Sequence, residues 1–333
     1  SRAFVTAASA GVATMEAGGC ADLSSGLLRV WGTSGEELAA VCAEELGDVL
    51  ALKRQLTRVC QTPRFRQRLL HDGAVLDDAT ALPKTTLDLH LVLVPFSRAY
   101  RKFRDELIEA AATGQVLEVE RILQRPQDAD LPGTREGKRP LVEASSAGHV
   151  EVLELLLEAR ADSNLTGADG RTALQLASKG GHVETVRILL KAGALTARSQ
   201  RDTYMTALHE ASSFGHSEVV RLLLDARADK DSKAVNDMSA LHLASSHGHV
   251  ETVRMLLAAG ADTDSVSTCG TAPQMASSEG HLQVLQLLLE ARADMSRLNS
   301  RPGTALHVAS AEERVEIART YAELGQLLQK TTR

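Results

Sequence analysis

Histidine is the residue that most invites a chemical reading of this chain. Eleven are present, and neutral imidazole serves both as metal ligand and as general base. Their spacing points elsewhere. His149, His182, His216, His249 and His281 each follow a glycine, at steps of 33, 34, 33 and 32 residues. His209, His242 and His307 each stand three residues after Thr206, Ser239 and Thr304. A metal site needs ligands that converge, and a hydrolytic triad needs an orienting acid and an oxyanion hole. Residues set one period apart do one local job many times instead. In the first set that job is to bridge loops of neighbouring repeats. In the second it is to bond back to a helix start, as a capping box does. Ser246-His247 has neither acid nor oxyanion donors marked beside it. GTREGK from Gly133 has too few residues between its glycines for a phosphate loop and no Ser or Thr after Lys138. DTDSVS from Asp262 lacks the glycine and distal glutamate of a calcium loop. No catalytic residue, metal or cofactor is expected.

Composition narrows the classes further. The net charge of -6 gives no electrostatic case for nucleic acid or an anionic membrane. No run approaches the roughly 18 apolar residues of a spanning helix. The four cysteines, Cys20, Cys42, Cys60 and Cys269, form no C-x-x-C pair and no disulfide framework. A reducing compartment, cytoplasmic or nuclear, is expected. Only 3% of residues are aromatic, so Leu and Ala must carry the core.

The elements that position the histidines are short. In SALHLASSHGHVETVRMLLAAGAD, from Ser239 to Asp262, Leu241 and Ala244 share one helical face and Gly248 ends the segment. Val253, Leu256 and Leu257 then make an i, i+3, i+4 stripe that Gly260 ends. Neither helix is long enough to stand alone in water, so the pair must stack on something. The chain supplies copies: Leu141, Leu174, Leu208, Leu241, Pro273 and Leu306 align, with a weaker copy opened by Leu107. The first helices read TALQLA, TALHEA, SALHLA, TAPQMA and TALHVA. The second read VEVLELLLEARAD, VETVRILLKAGA, SEVVRLLLDARAD, VETVRMLLAAGAD and LQVLQLLLEARAD.

This pattern resembles the ankyrin repeat in period and core motif. The resemblance covers about residues 104–328 and implies an all-α solenoid of about seven repeats, the terminal ones acting as caps. It also implies protein partners along a groove of inner helices and finger tips. Tyr204, Met205, Phe214, Met238 and His247 are the expected anchors, because aromatic and Met side chains are favoured at interface cores. A monomer is expected. One departure from the family pattern stands out. The second helix usually ends in glycine, as at Gly193 and Gly260, but Arg160, Arg227 and Arg292 take that place. Pairing with Glu158, Asp225 or Glu290 is expected to offset part of the backbone cost.

Residues 27–96 have another character. LLRVWG and SGEELAAV read as a hairpin around Thr33, Ser34 and Gly35. Asp48 is an N-cap for VLALKRQLTRVC, Asp72-Gly73 is a tight turn, and LDLHLVLV reads as a central strand. The order β-β-α-β-β-β, with LALKRQL, RQRLLHDGAVLDDATAL and LDLHLVLV, resembles ubiquitin. That resemblance implies an α+β (β-grasp) domain whose apolar sheet patch docks partners. Leu70, His90 and Val92 match patch members, whereas Thr33 stands where the family's loop has leucine. The Gly-Gly tail of a modifier is absent; VPFSRAYRKF follows instead.

The expected organisation is therefore multidomain: a disordered segment 1–26 starting at Met15 or upstream, a ubiquitin-like domain 27–96, a linker 97–103, the ankyrin-repeat domain 104–328 and a tail 329–333. The expected function is a non-catalytic scaffold or adaptor. Its groove would hold a protein client, and its ubiquitin-like domain would dock to ubiquitin or proteasome machinery. The alternative is a regulatory or targeting module of a larger kinase or ubiquitin-ligase assembly.

Overall fold

The structure is a computed structural model and describes residues 27–42, 46–83, 85–95, 101–125, 128–133, 137–197 and 205–291. The segments expected at 1–26 and 329–333, and Tyr204, Arg292 and His307, lie outside them. The described residues fall into two compact units, one within 1–103, 117–129 and 158–161, the other within 104–116, 130–157 and 162–333.

In the first unit β1 (Leu27–Trp31) and β2 (Glu37–Cys42) form the hairpin, turning at Gly35 with φ +84°. Asp48 caps α1 (Val49–Cys60) by accepting from the Ala51 N–H at 2.8 Å. β3 (Gln67–His71) and β4 (Ala74–Val75) turn at Asp72 and Gly73, both at positive φ. β5 (Leu87–Leu93) lies in the middle of a five-stranded sheet of order β2-β1-β5-β3-β4. It runs parallel to β1 and antiparallel to β3. Alternation then sets the core: Leu28, Val30, Leu69, Leu89 and Leu91 point to one face, where Val49, Leu52 and Leu56 of α1 meet them. This arrangement fits a β-grasp.

The unit also contains a buried cation centre that no local pattern announces. The Arg64 side chain is 1% exposed, and it pairs with Asp78 at 3.0 Å, Glu120 at 2.9 Å and Glu158 at 2.8 Å. Its guanidinium carbon lies 4.0 Å from the centre of the Phe65 ring. Lys53, 3% exposed, shares the Asp78 carboxylate.

Helices follow from α2 (Arg101–Ala112), which begins inside the stretch read as a linker, and α3 (Val116–Leu123). In the second unit α4 (Pro140–Ala147), α6 (Ala173–Gly180), α8 (Ala207–Ser213), α10 (Ala240–Ser246) and α12 (Ala272–Ser278) pack in succession. Beside them run α5 (Val150–Glu158), α7 (Val183–Lys191), α9 (Ser217–Asp225), α11 (Val250–Ala258) and α13 (Leu282–Glu290). β6 (Val266–Ser267) and β7 (Gly270–Thr271) make one finger between pairs. Leu174, Leu208, Leu241, Val186, Val219 and Val253, all 0–1% exposed, fill the seams.

The arginine departure is real. Arg160 and Arg227 adopt φ +68° and +61°, beside Gly193 at +86° and Gly260 at +74°. Among the described residues, the expected pairings of Arg160 with Glu158 and of Arg227 with Asp225 are not formed. The Glu158 carboxylate belongs to Arg54 and Arg64, and Asp225 meets Arg221 at 3.6 Å. Glu158 points to neighbours that only the folded chain brings near, and Asp225 to one a helical turn earlier. Arg160 instead donates to Gln61 Oε1 at 3.0 Å. A side chain in the left-handed region costs about 1 kcal/mol relative to glycine. Arg227→Gly is therefore expected to raise stability by about 0.5–1 kcal/mol in denaturant melts. Arg160→Gly should gain less, because it gives up a hydrogen bond. Equal gains would mean that the Gln61 contact contributes nothing.

Candidate protein-interaction surfaces

The helix starts decide what the capping histidines do. Thr172, Thr206, Ser239 and Thr271 are the N-caps, and Gln175, His209, His242 and Gln274 each accept from the N-cap N–H; the Thr172 and Thr206 hydroxyls complete the box by accepting from the N–H three residues on. His209 Nδ1 accepts from the Thr206 N–H at 3.1 Å, and His242 Nδ1 accepts from the Ser239 N–H at 3.2 Å. An accepting Nδ1 places the proton on Nε2. Nε2 of each ring then donates across to the next finger, to the Ser232 and Ser265 carbonyls, both at 3.0 Å. Burial pushes the His242 pKa below 6.5, although hydrogen bonds to backbone carbonyls oppose it.

The sign of the pH effect follows. The folded state holds His242 neutral, while the unfolded chain binds a proton near pH 6.5, so acidification favours unfolding below that pH. His242→Gln keeps an acceptor for the N-cap N–H, as Gln175 and Gln274 do in their own repeats. It is expected to flatten the fall in stability as pH drops below about 6.5. Identical pH slopes for parent and variant would show that His242 is not a source of it.

The histidines that follow glycine bridge repeats. His149, His182, His216, His249 and His281 Nε2 lie 2.9–3.1 Å from the Ala112, Ser146, Lys179, Ser213 and Ser246 carbonyls of the preceding repeats. The seven histidines of the two sets that lie among the described residues are therefore structural, as their spacing indicated.

What remains outward on the inner helices is the candidate groove. Phe214 is 49% exposed. Its ring stacks on His216 at 6.3 Å, and Lys179 Nζ lies 5.6 Å from its centre. His247 occupies the same place one repeat on; it is exposed, donates from Nδ1 to the Leu243 carbonyl at 2.8 Å, and stacks on His249 at 5.9 Å. Met205 and Met238, both half-buried, sit just before the N-cap residues Thr206 and Ser239. Four of the five expected anchors are thus described, in two consecutive repeats.

Sequence reasoning missed two features here. Val235 and Val266, 46% and 43% exposed, add apolar surface at neighbouring fingers. Glu210 stands where other inner helices carry Leu176, Leu243 and Met275, yet it is only 3% exposed. Burial raises its pKa against the pull of Arg171, 3.5 Å away, and of Lys179. A single charged residue in the apolar column of TALHEA was the available signal.

In the first unit the sheet register sets Leu70 opposite His90, and Arg68 opposite Val92. Leu70, His90 and Val92 share the face opposite the core, where His90 is exposed and the other two are half-buried.

A stack of capped helix pairs with outward side chains at each inner-helix end is a protein-interaction module that offers a run of surface. The chain belongs to the ankyrin-repeat family: the model "Ankyrin repeats (3 copies)" matches residues 107–199, 194–267 and 241–330. Among solved structures it is similar to the human ASB11 ankyrin repeat domain. Identity there is 30% and the TM-score 0.57, over 64% of this chain and 95% of that one. No curated protein matches the chain. Among the described residues no helix is long and apolar enough to cross a membrane.

Proposed function

We propose that this chain is a non-catalytic adaptor, acting as a monomer in a reducing compartment. Its repeat groove holds a protein client through Met205, Phe214, Met238 and His247, together with Tyr204. The outer sheet face, with Leu70, His90 and Val92, docks to ubiquitin or proteasome machinery. The observation that carries the reading is Phe214: a large apolar side chain left half outside the stack, beside an exposed His247. A client of standard size would bury roughly 800 Å² on this side.

Affinity capture with mass spectrometry supplies the client. Against it, Tyr204→Ala with Phe214→Ala should cost more than about 2 kcal/mol of binding and far less of folding stability. Equal losses of both would make these side chains packing residues. For the sheet face, capture on an immobilised proteasome subunit or ubiquitin-binding domain should depend on Leu70 and Val92. Capture indifferent to both sinks that half of the reading.

A further inference from the structure

The outer sheet face carries more than the three expected patch residues. Register places Glu37, Trp31, His90, Leu70 and Val75 side by side across β2, β1, β5, β3 and β4. Val30 and Leu89, their neighbours along β1 and β5, are 0% exposed and point to the core. Trp31 and His90 therefore point outward. Trp31 is half-buried, and its indole N–H donates to Asp88 Oδ1 at 3.1 Å, which fixes the ring on the surface. At the other end of the row Val75 is 57% exposed.

Charge along the face is uneven. Around Trp31 stand the exposed acids Glu36, Glu37 and Asp88, with Arg29 the cation opposite Asp88. Near Val92 the cations are turned to backbone. Arg68 donates to the Phe65, Gln67 and Gln124 carbonyls, and Arg66 Nε donates to the Val94 carbonyl. The row thus offers an aromatic and aliphatic strip with an acidic border. Five strands about 4.8 Å apart span roughly 19 Å, the length of a helix of about 13 residues.

We propose that Trp31 extends this face into a docking strip for an amphipathic partner helix whose apolar side chains are bordered by Lys or Arg. The proposal rests on the reading that the face of Leu70, His90 and Val92 docks a protein. Trp31 would be the anchor, since aromatic residues with a polar handle dominate interface cores. Glu37 and Asp88 would select the partner's charge.

Trp31 is the chain's one tryptophan, so its emission reports on this strip alone. The probes are two tryptophan-free synthetic helices with the same Leu/Ala stripe, one bordered by Lys and the other by Glu, titrated into the full chain. The Lys-bordered helix should change Trp31 emission saturably and bind roughly tenfold or more tightly than the Glu-bordered one. Glu37→Lys should narrow or invert that preference. Labelled-peptide anisotropy should show Trp31→Ala weakening the Lys-bordered helix by a similar factor. Equal affinities, no saturable binding, or binding without a change in Trp31 emission would overturn the proposal. If Leu70→Ala and Val92→Ala abolish capture by the proteasome subunit while Trp31→Ala and Glu37→Lys leave capture and peptide binding unchanged, the docking reading stands and the Trp31 strip falls.

Discussion

Gly215→Ala is expected to lower the stability of the repeat stack by about 2–4 kcal/mol. Two costs coincide at that position. Gly215 sits at φ +72°, where a Cβ carries a penalty of about 1–2 kcal/mol. A Cβ there would also lie 2.5 Å from Nδ1 of His249, the ring that bridges to the Ser213 carbonyl. The ring cannot retreat without giving up that bridge. The comparison that separates the costs is Gly260→Ala: φ is +74°, yet a Cβ there meets nothing within 4 Å. The chain itself places a side chain at the equivalent position, as Arg160 and Arg227. Gly260→Ala should therefore lose only the backbone term, about 1–2 kcal/mol. Urea melts of both variants decide it. Equal losses would mean that the histidine ring yields freely and that the Gly-His pair is a backbone device alone.

That pairing shows which parts of the structure were legible in the sequence. The Gly-His steps and the Thr/Ser N-caps with their His partners repeat at one period, so each local rule is stated several times and fixes the same geometry each time. The sheet was legible for a similar reason: Asp48, Asp72-Gly73 and the alternation in LDLHLVL are local signals whose physics is complete within a few residues. The outward direction of Trp31 follows from Val30 being inward. Its place in a five-residue row needs the strand order, which adjacent residues do not encode. Long-range charge pairing was illegible. Glu158 has Arg160 two residues away, yet its carboxylate goes to Arg54 and Arg64, 104 and 94 positions earlier. Exposed neighbours along a chain gain little from pairing, so proximity in sequence does not decide where a carboxylate points. Glu210 was missed for another reason. An isolated charge in an apolar column gives a position but not the depth at which it lies.

Asp78→Ala is expected to be the most damaging single change in the first unit, at about 3–5 kcal/mol. The carboxylate serves two buried cations at once: Lys53, 3% exposed, and Arg64, whose side chain is 1% exposed. Gln124 Nε2 also donates to it, at 3.1 Å. Removing Asp78 leaves Lys53 without its ion-pair partner in a site it cannot leave, and an uncompensated buried charge costs more than a pair contributes. The reverse cut should be milder. Arg64→Ala leaves Asp78 its Lys53 and Glu158 its Arg54, and Glu120, 37% exposed, can take up water. The same geometry sets the pH response. Burial alone would raise the Asp78 pKa, but the Lys53 hydrogen bond and charge, with Gln124 and Arg64, hold it below the ordinary 3.8. The unfolded chain therefore binds this proton first as pH falls. The stability that Asp78 contributes is present above pH 3.8 and is lost as pH drops through its lower folded value. Denaturant melts from neutral to strongly acidic pH should show a steeper acid-side loss in the parent than in Asp78→Ala, with the two curves converging at the acidic end. A loss under about 1 kcal/mol at neutral pH, or parallel acid limbs, would mean that Glu120 and Glu158 alone satisfy the buried cations.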